Sequence, residues 1–412
     1  MKAALFIFRL AFCAFAAAAL ASSADAQSAK ISDGVVKIGV LTDMSGVYSD
    51  FSGNGSVVAT QMAIDDFGGK VLGAPIELVY ADHQNKADIG ANIARQWYET
   101  GKVDAIFDTT NSAVTLAVMG VTKEKDKIVI IGGSSTSRVT TSDCTPNSIQ
   151  YIYDANALAN VTGKALIKQG GKTWYFLTVD FAFGHGLEKI TSDVVKAAGG
   201  TVLGAVRHPL NTGDFSSYLL QAHNSGAQII ALANGGTDTI NAIKAANEYG
   251  FMKSGQQKVA ALLVFITDVN SMGLRQAQNT VLTSTFYWDL NDETRAWSKR
   301  FFAKTKKMPS MVQAGMYSAT MHYLNAIKAV GTDKTEAVMA KMKETPVNDF
   351  FVKNGHIRPD GLHVHEMHLF QVKTPGESKY PWDYYKLLAT VPGDEAFSPM
   401  NTAACPFLSG KK

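Results

Sequence analysis

From residue 35 onward, short apolar runs rich in β-branched residues alternate with longer segments of helical spacing. Val35–Leu41, Ile76–Tyr80, Ala105–Asp108 and Ile128–Ile131 read as strands with little polar interruption. Val57–Phe67, Ile89–Thr100 and Ala113–Lys125 repeat their apolar positions as a helix with one buried face does. Strands that are apolar on both faces and separated by helices predict a parallel sheet covered on both sides. The rhythm then recurs, with strands at Thr173–Val179, Thr201–Arg207, Ile229–Ala233 and Val259–Phe265. Helices are predicted at Ala155–Gln169, Gly186–Ala198, Phe215–Asn224 and Thr239–Tyr249. Gly170-Gly171, Gly199-Gly200 and Gly250 supply the stops, because glycine takes the left-handed backbone that ends a helix without a Cβ penalty.

The chain thus holds two similar α/β halves, each about the size of one doubly wound sheet. Its 412 residues exceed the ~100–200 usual for one domain. Beyond the second half, Val281–Tyr287 is strand-like and Glu293–Lys304 and Gly315–Val330 are helix-like. From His356 onward the pattern turns to short strands and proline turns. A chain that builds one half, then the other, then adds more elements is expected to return to the first half, and two lobes joined by several crossings make a hinged cleft. In open α/β sheets ligands sit beyond the carboxyl ends of the strands. That rule selects Asp43, Ser45, Gly46 and Tyr48 after the first strand, Thr109–Ser112 after the third and Gly132–Thr136 after the fourth. The second half offers Asp180–Gly184, Asn234–Asp238 and Thr267-Asp268. Small, hydroxylated and aromatic residues dominate this set, a lining suited to a small polar ligand.

An address precedes the fold. Lys2 and Arg9 frame an apolar run that reaches Leu20, and Ala24-Asp25-Ala26 has the small-x-small form of a cleavage site. Residues 1–26 therefore read as a signal peptide. A membrane anchor is the alternative, disfavoured because the run falls short of the ~20 apolar residues that span a bilayer. Bulky Phe12 ahead of Cys13 argues against lipidation. With 39 basic and 36 acidic residues the charge is near neutral, and the basic residues do not cluster, which argues against a nucleic-acid partner. After cleavage Cys144 and Cys405 remain. One disulfide closing a very long loop is expected in an oxidising compartment, with two buried thiols as the alternative.

The chemical motifs are weak. Gly53-Asn54-Gly55 lacks the third glycine of a dinucleotide fingerprint, and no Walker lysine follows. Neither Asn111-Ser112-Ala113 nor Gly133-Ser134-Ser135 forms a Gly-x-Ser-x-Gly elbow. These serines read as helix caps whose hydroxyls and neighbouring N–H groups can also hold a carboxylate. His363, His365 and His368 could converge on a metal only through a bulge, since on a strand the first two share a face and the third points away. A polar edge strand is the expectation there, with no metal and no cofactor. Phe286-Tyr287-Trp288, with Asp289 behind, ends a strand and is either core or a cover for a ligand's apolar part.

Four stretches, VKIGVLTDMSGVYSDFSGNG, TTNSAVTLAV, IVIIGGSSTS and VDFAFGHGLEKI, resemble the leucine/isoleucine/valine-binding family and occur in that family's order. These are periplasmic solute-binding proteins of fold type I that serve ABC importers. The likeness covers nearly the whole mature chain, and IRPDGLHVHEMHLFQVKTPGESKYPWDYYKLLATVPGDEAF looks like one branch whose ligands are heterogeneous. The resemblance implies two Rossmann-like lobes joined by a three-strand hinge. Lobe 1 would comprise residues 35–148 plus 283–347, lobe 2 residues 149–282 plus 348–391, and residues 392–412 a C-terminal tail. It implies that Ser112, Gly133, Ser134 and Ser135 hold a ligand carboxylate and that Phe183 forms an aromatic wall. Tyr48 would lie in the first loop's contact region, and Asn234, Thr237, Asp238 and Asp268 would supply the far lobe's contacts. Trp288 joins this set as the strand-end aromatic. Two departures bear on the ligand. Phe183 stands where amino-acid binders of the family commonly have tyrosine, and only Asp268 or Asp238 could pair with an ammonium group. If neither faces the cleft, an α-amino acid would bury an unpaired ammonium at a cost of several kcal/mol. An aromatic or aliphatic acid, or an amide, would then fit better.

The expected function is an exported, periplasmic receptor: a monomer that closes on a small carboxylate-bearing ligand and presents the closed form to an inner-membrane ABC permease. A ligand-sensing receptor for a signalling system shares the fold but would need a signalling or transmembrane segment. An exported enzyme is the other alternative, without a visible nucleophile–base pair or metal set.

Overall fold

The computed structural model describes residues 31–250 and 257–410; the signal-peptide reading of residues 1–26 lies outside them. The first apolar runs become a six-stranded sheet. Its strands are β1 Val36–Thr42, β2 Lys70–Val71, β3 Ala74–Asp82, β4 Ala105–Asp108, β5 Ile128–Ile131 and β6 Ser148–Gln150, in the order β2-β3-β1-β4-β5-β6. All neighbours are parallel except the short β2–β3 pair. Side chains alternate between two cores, as the pleat requires. Ile128 and Ile130 pack with the Gly53–Phe67 and Met311–Val330 helices, whereas Val129 and Ile131 pack with the Ala87–Glu99 and Ser112–Glu124 helices. Burial on both faces explains why β4 and β5 carry no polar residue before Asp108.

The second half repeats the plan with β7 Thr173–Val179, β8 Thr201–His208, β9 Ile229–Ala233 and β10 Lys258–Ala261, all parallel and in the order β10-β9-β7-β8. Three antiparallel strands follow: β11 Val281–Ser284 pairs with β14 Met367–Val372, and β14 with β15 Tyr385–Val391. Between them β12 His356–Ile357 and β13 His363–Val364 form a small hairpin. Two strands are shorter than their apolar runs suggest. β10 stops at Ala261 because Phe265 starts the Ile266–Met272 helix, its N–H donating to the Asp268 carboxylate at 2.9 Å. β11 stops at Ser284, whose hydroxyl donates to the Phe286 carbonyl at 2.7 Å, a local bond that competes with the ladder.

The histidine strand is not a polar edge. His363, His365 and His368 are all buried, and β14 lies between two neighbours. Their Nδ1 atoms bond the Tyr151 carbonyl, the Glu366 carbonyl and the Thr390 hydroxyl at 2.8, 3.0 and 3.0 Å. Burial holds His365 and His368 down to about 4.

The chain passes between the lobes three times, after β6, after β11 and through the β12–β13 hairpin to β14. The crossings lie side by side. Gln150 N–H donates to the Gly361 carbonyl at 2.9 Å, and Thr285 Oγ1 donates to the Ile152 carbonyl at 3.1 Å. Cys144 of the first lobe is disulfide-bonded to Cys405, 261 residues later.

Candidate functional site

The carboxyl end of β4 is strained toward the space between the lobes. Asp108, Thr109 and Asn111 have φ of 79°, 48° and 123°, a conformation that costs of order 1–3 kcal/mol per residue and concentrates at binding sites. It is held by a buried polar network. The Asp108 carboxylate accepts from Ser52 Oγ at 2.6 Å and Thr110 Oγ1 at 2.8 Å, and Thr42 Oγ1 lies 2.5 Å from Ser52 Oγ. Asn111 caps the Ser112–Glu124 helix, accepting from Ala113 N at 2.9 Å and Val114 N at 3.2 Å. The first turn of that helix, with Ser112, faces the gap. Asn111 already holds the N–H groups of Ala113, Val114 and Thr115, so it is Ser112 and the helix dipole that favour a negative charge here. The β5 loop completes this wall: Ser134 Oγ donates to Ser112 Oγ at 3.2 Å, and Ser135 Oγ is buried without a hydrogen-bond partner. Gly133 rests directly on Thr110, where any Cβ would collide with the threonine side chain.

The remaining walls are aromatic. The cavity is lined by Tyr48, Phe51, Asn111, Ser112 and Gly133 of the first lobe, Tyr153 from the first crossing, and Phe181, Phe183 and Leu263 of the second. Phe51 stacks on Phe265 across the lobes, ring centroids 3.9 Å apart. The Tyr48 hydroxyl is buried without a hydrogen-bond partner, and burial, then the nearby Asp238 carboxylate, raise its pKa well above the ordinary value. The cavity is narrow, about 10 Å³. The two lobes meet closely around it. Their contact is explicit: Thr237 N–H donates to the Val47 carbonyl at 3.2 Å, and Ser271 Oγ donates to Asp50 at 3.2 Å.

Of the residues singled out in the sequence, Tyr48, Ser112, Gly133 and Phe183 line the cavity, and Ser134 and Ser135 stand behind them. The far-lobe polar residues do not reach it. Asn234 is spent within its lobe, its Nδ2 3.0 Å from His208 Nε2 and its Oδ1 accepting from Thr239 at 2.6 Å. Thr237 sits at the mouth of the cleft beside Val47 and Asn85. The Asp238 carboxylate accepts from Asn211 N at 3.2 Å and Thr212 N at 2.8 Å, and Asp268 caps its own helix. Burial pushes these acids up to about 6 and about 7, respectively, so both disfavour the ionised form. Trp288 turns away, its Nε1 donating to the Trp382 carbonyl at 2.8 Å. Five lining residues were missed as site residues. Phe51, Asn111 and Phe181 lie in strand-end loops that the sequence does mark. Leu263 hides in an apolar run that reads as strand, and Tyr153 in a crossing with no periodic signal. A roomier groove of about 660 Å³ beside Lys164 and Glu395 touches no carboxyl end of a parallel strand.

Comparison with known proteins places this geometry in context. The sequence profile of the periplasmic binding protein family matches residues 35–378. A periplasmic binding protein from Burkholderia mallei is 54% identical, superposes with a TM-score of 0.87, and shares 89% of this chain and 96% of its own. A branched chain amino acid ABC transporter periplasmic ligand-binding protein from Burkholderia xenovorans is 42% identical with a TM-score of 0.80, over 88% of this chain and 97% of that one. Leu/Ile/Val-binding protein homolog 6 of Brucella melitensis is 24% identical over 334 residues, 77% of this chain and 82% of the relative.

Proposed function

This chain belongs to the periplasmic binding protein family, and from that premise we propose that it is the solute receptor of an ABC importer for small carboxylic acids lacking an α-amine. The lining of the cavity carries the proposal. One wall offers hydroxyls and a helix N-terminus to a carboxylate, the others are aromatic, and no lining residue is acidic. An ammonium group beside Phe51, Phe181 and Leu263 would meet no carboxylate in the lining, whereas an aromatic or branched aliphatic acid buries only apolar surface there. The 42% identical relative is described as a branched-chain amino acid protein; a branched-chain acid shares that side chain and differs at the amine alone.

The mechanism is hinge closure. Ligand binds the first-lobe wall through its carboxylate, and Phe181, Phe183 and Leu263 then close over its apolar end. The closed form is favoured only as far as the ligand touches both lobes. A receptor that releases its ligand unchanged fits these groups better than an exported enzyme. We place the protein in the periplasm, as a monomer presenting its closed form to an inner-membrane permease. A thermal-shift screen of ligand-stripped protein tests the reading. Benzoates, phenylalkanoates and branched-chain acids near ~1,000 times Kd should stabilise it by about 4 kcal/mol. Stabilisation by amino acids alone would refute it.

A further inference from the structure

The C-terminal tail runs from the second lobe to the first along the hinge. It leaves β15 at Val391, opposite Met367 of β14. Asn160 of the second lobe donates to the Ala396 carbonyl at 2.8 Å. Gly393 lies so close to the third crossing that a Cβ would stand 2.9 Å from the His365 carbonyl oxygen, and the buried Phe397 ring meets His365 edge to face at 5.2 Å. Arg358 of the same crossing donates through Nη1 to the Ser398 carbonyl at 2.7 Å, while its Nη2 holds Asp360 at 2.6 Å. The tail then reaches the first lobe. Cys405, fully buried, is bonded to Cys144 just before β6, and Lys343 stands over the Phe407 ring at 5.8 Å.

We infer that this tail is a fourth, covalently fastened connection between the lobes, a strap that limits how far the cleft opens. The three crossings are single pieces of chain that run from one lobe to the other. The strap differs because its far end is pinned to the first lobe by a disulfide and its middle to the third crossing by Arg358 and Phe397. Parting the lobes must either stretch it or peel it from the hinge. A tether of this kind removes conformations from the open state and leaves the closed state untouched, so it favours closure. The inference rests on the two-lobe fold and holds whichever acid the cleft takes.

Two variants test it in the absence of any ligand. Cys144→Ser with Cys405→Ser cuts the strap. Inserting Gly-Ser-Gly-Ser between the exposed Pro399 and Met400 keeps the disulfide but slackens the strap, and it carries the test if the serine protein fails to fold. Small-angle scattering should show a larger radius of gyration than wild type for each variant. Amide exchange should become severalfold faster in residues 151–154 and 285–290 and at Thr237, where the lobes meet. Faster exchange confined to residues 392–410, with unchanged scattering, would reduce the disulfide to a local staple and overturn the inference.

Discussion

Single residues decide what the cleft recognises. Ser112, at the start of a helix aimed into the cavity, is the side chain best placed to meet a carboxylate. Ser112→Ala should weaken binding of a cognate acid by roughly 1–3 kcal/mol, the cost of leaving a buried acceptor unpaired. Trp288→Phe should leave affinity unchanged, since its indole serves Trp382; calorimetry on both variants separates the two roles. Asp268 makes a pH prediction. A carboxyl raised in the folded state stabilises the fold below its ordinary value, and that contribution is lost as pH rises through about 7. Asp268→Asn keeps an acceptor for Phe265 N–H and removes the titration. Its stability relative to wild type should therefore improve between about pH 4 and 7, by on the order of 1–4 kcal/mol. Denaturant melts at both ends of that window would show a constant gap if Asp268 titrated normally. The sequence names the acids but not their use: nothing in the letters shows that backbone N–H groups already claim Asp238 and Asp268.

Elements decide how the walls come together. The loop after β9 meets the loop after β1 through the Thr237–Val47 hydrogen bond, and it can do so only because residue 236 is glycine. Gly236 has φ of 58°, and a Cβ there would strike the Val47 carbonyl. Gly236→Ala should raise Kd at least ~10-fold, about 1.4 kcal/mol, by obstructing closure. A variant that binds as tightly as wild type would mean that the lobes need not meet at this point. At this scale the sequence is most legible where burial is two-sided: β4, β5, β7 and β9 follow their apolar runs residue for residue. It fails where apolar residues serve the cavity instead of the sheet. Leu262–Phe265 continues the β10 pattern but forms wall and helix cap, because a ligand-facing leucine and a core leucine look alike in sequence.

The whole molecule is two doubly wound sheets pressed together around a narrow aromatic cavity. That plan is visible in the repeated strand–helix rhythm and in the late return of the chain to the first half. The crossings are less visible, since Tyr151–Asp154 and the β12–β13 hairpin are too short to carry a period and owe their placement to contacts between distant segments. The closed cleft has a place for a carboxylate and an apolar group but, on this reading, none for an amine. Titration calorimetry of the stripped protein with two matched pairs tests it most directly: 3-phenylpropanoate against phenylalanine, and 4-methylpentanoate against leucine. Within each pair only the amine differs. The acid of at least one pair should bind, and its amino acid should be weaker by several kcal/mol, the cost of a buried unpaired ammonium. Tighter binding by phenylalanine or leucine would contradict it and return Asp238 or Asp268 to the ligand.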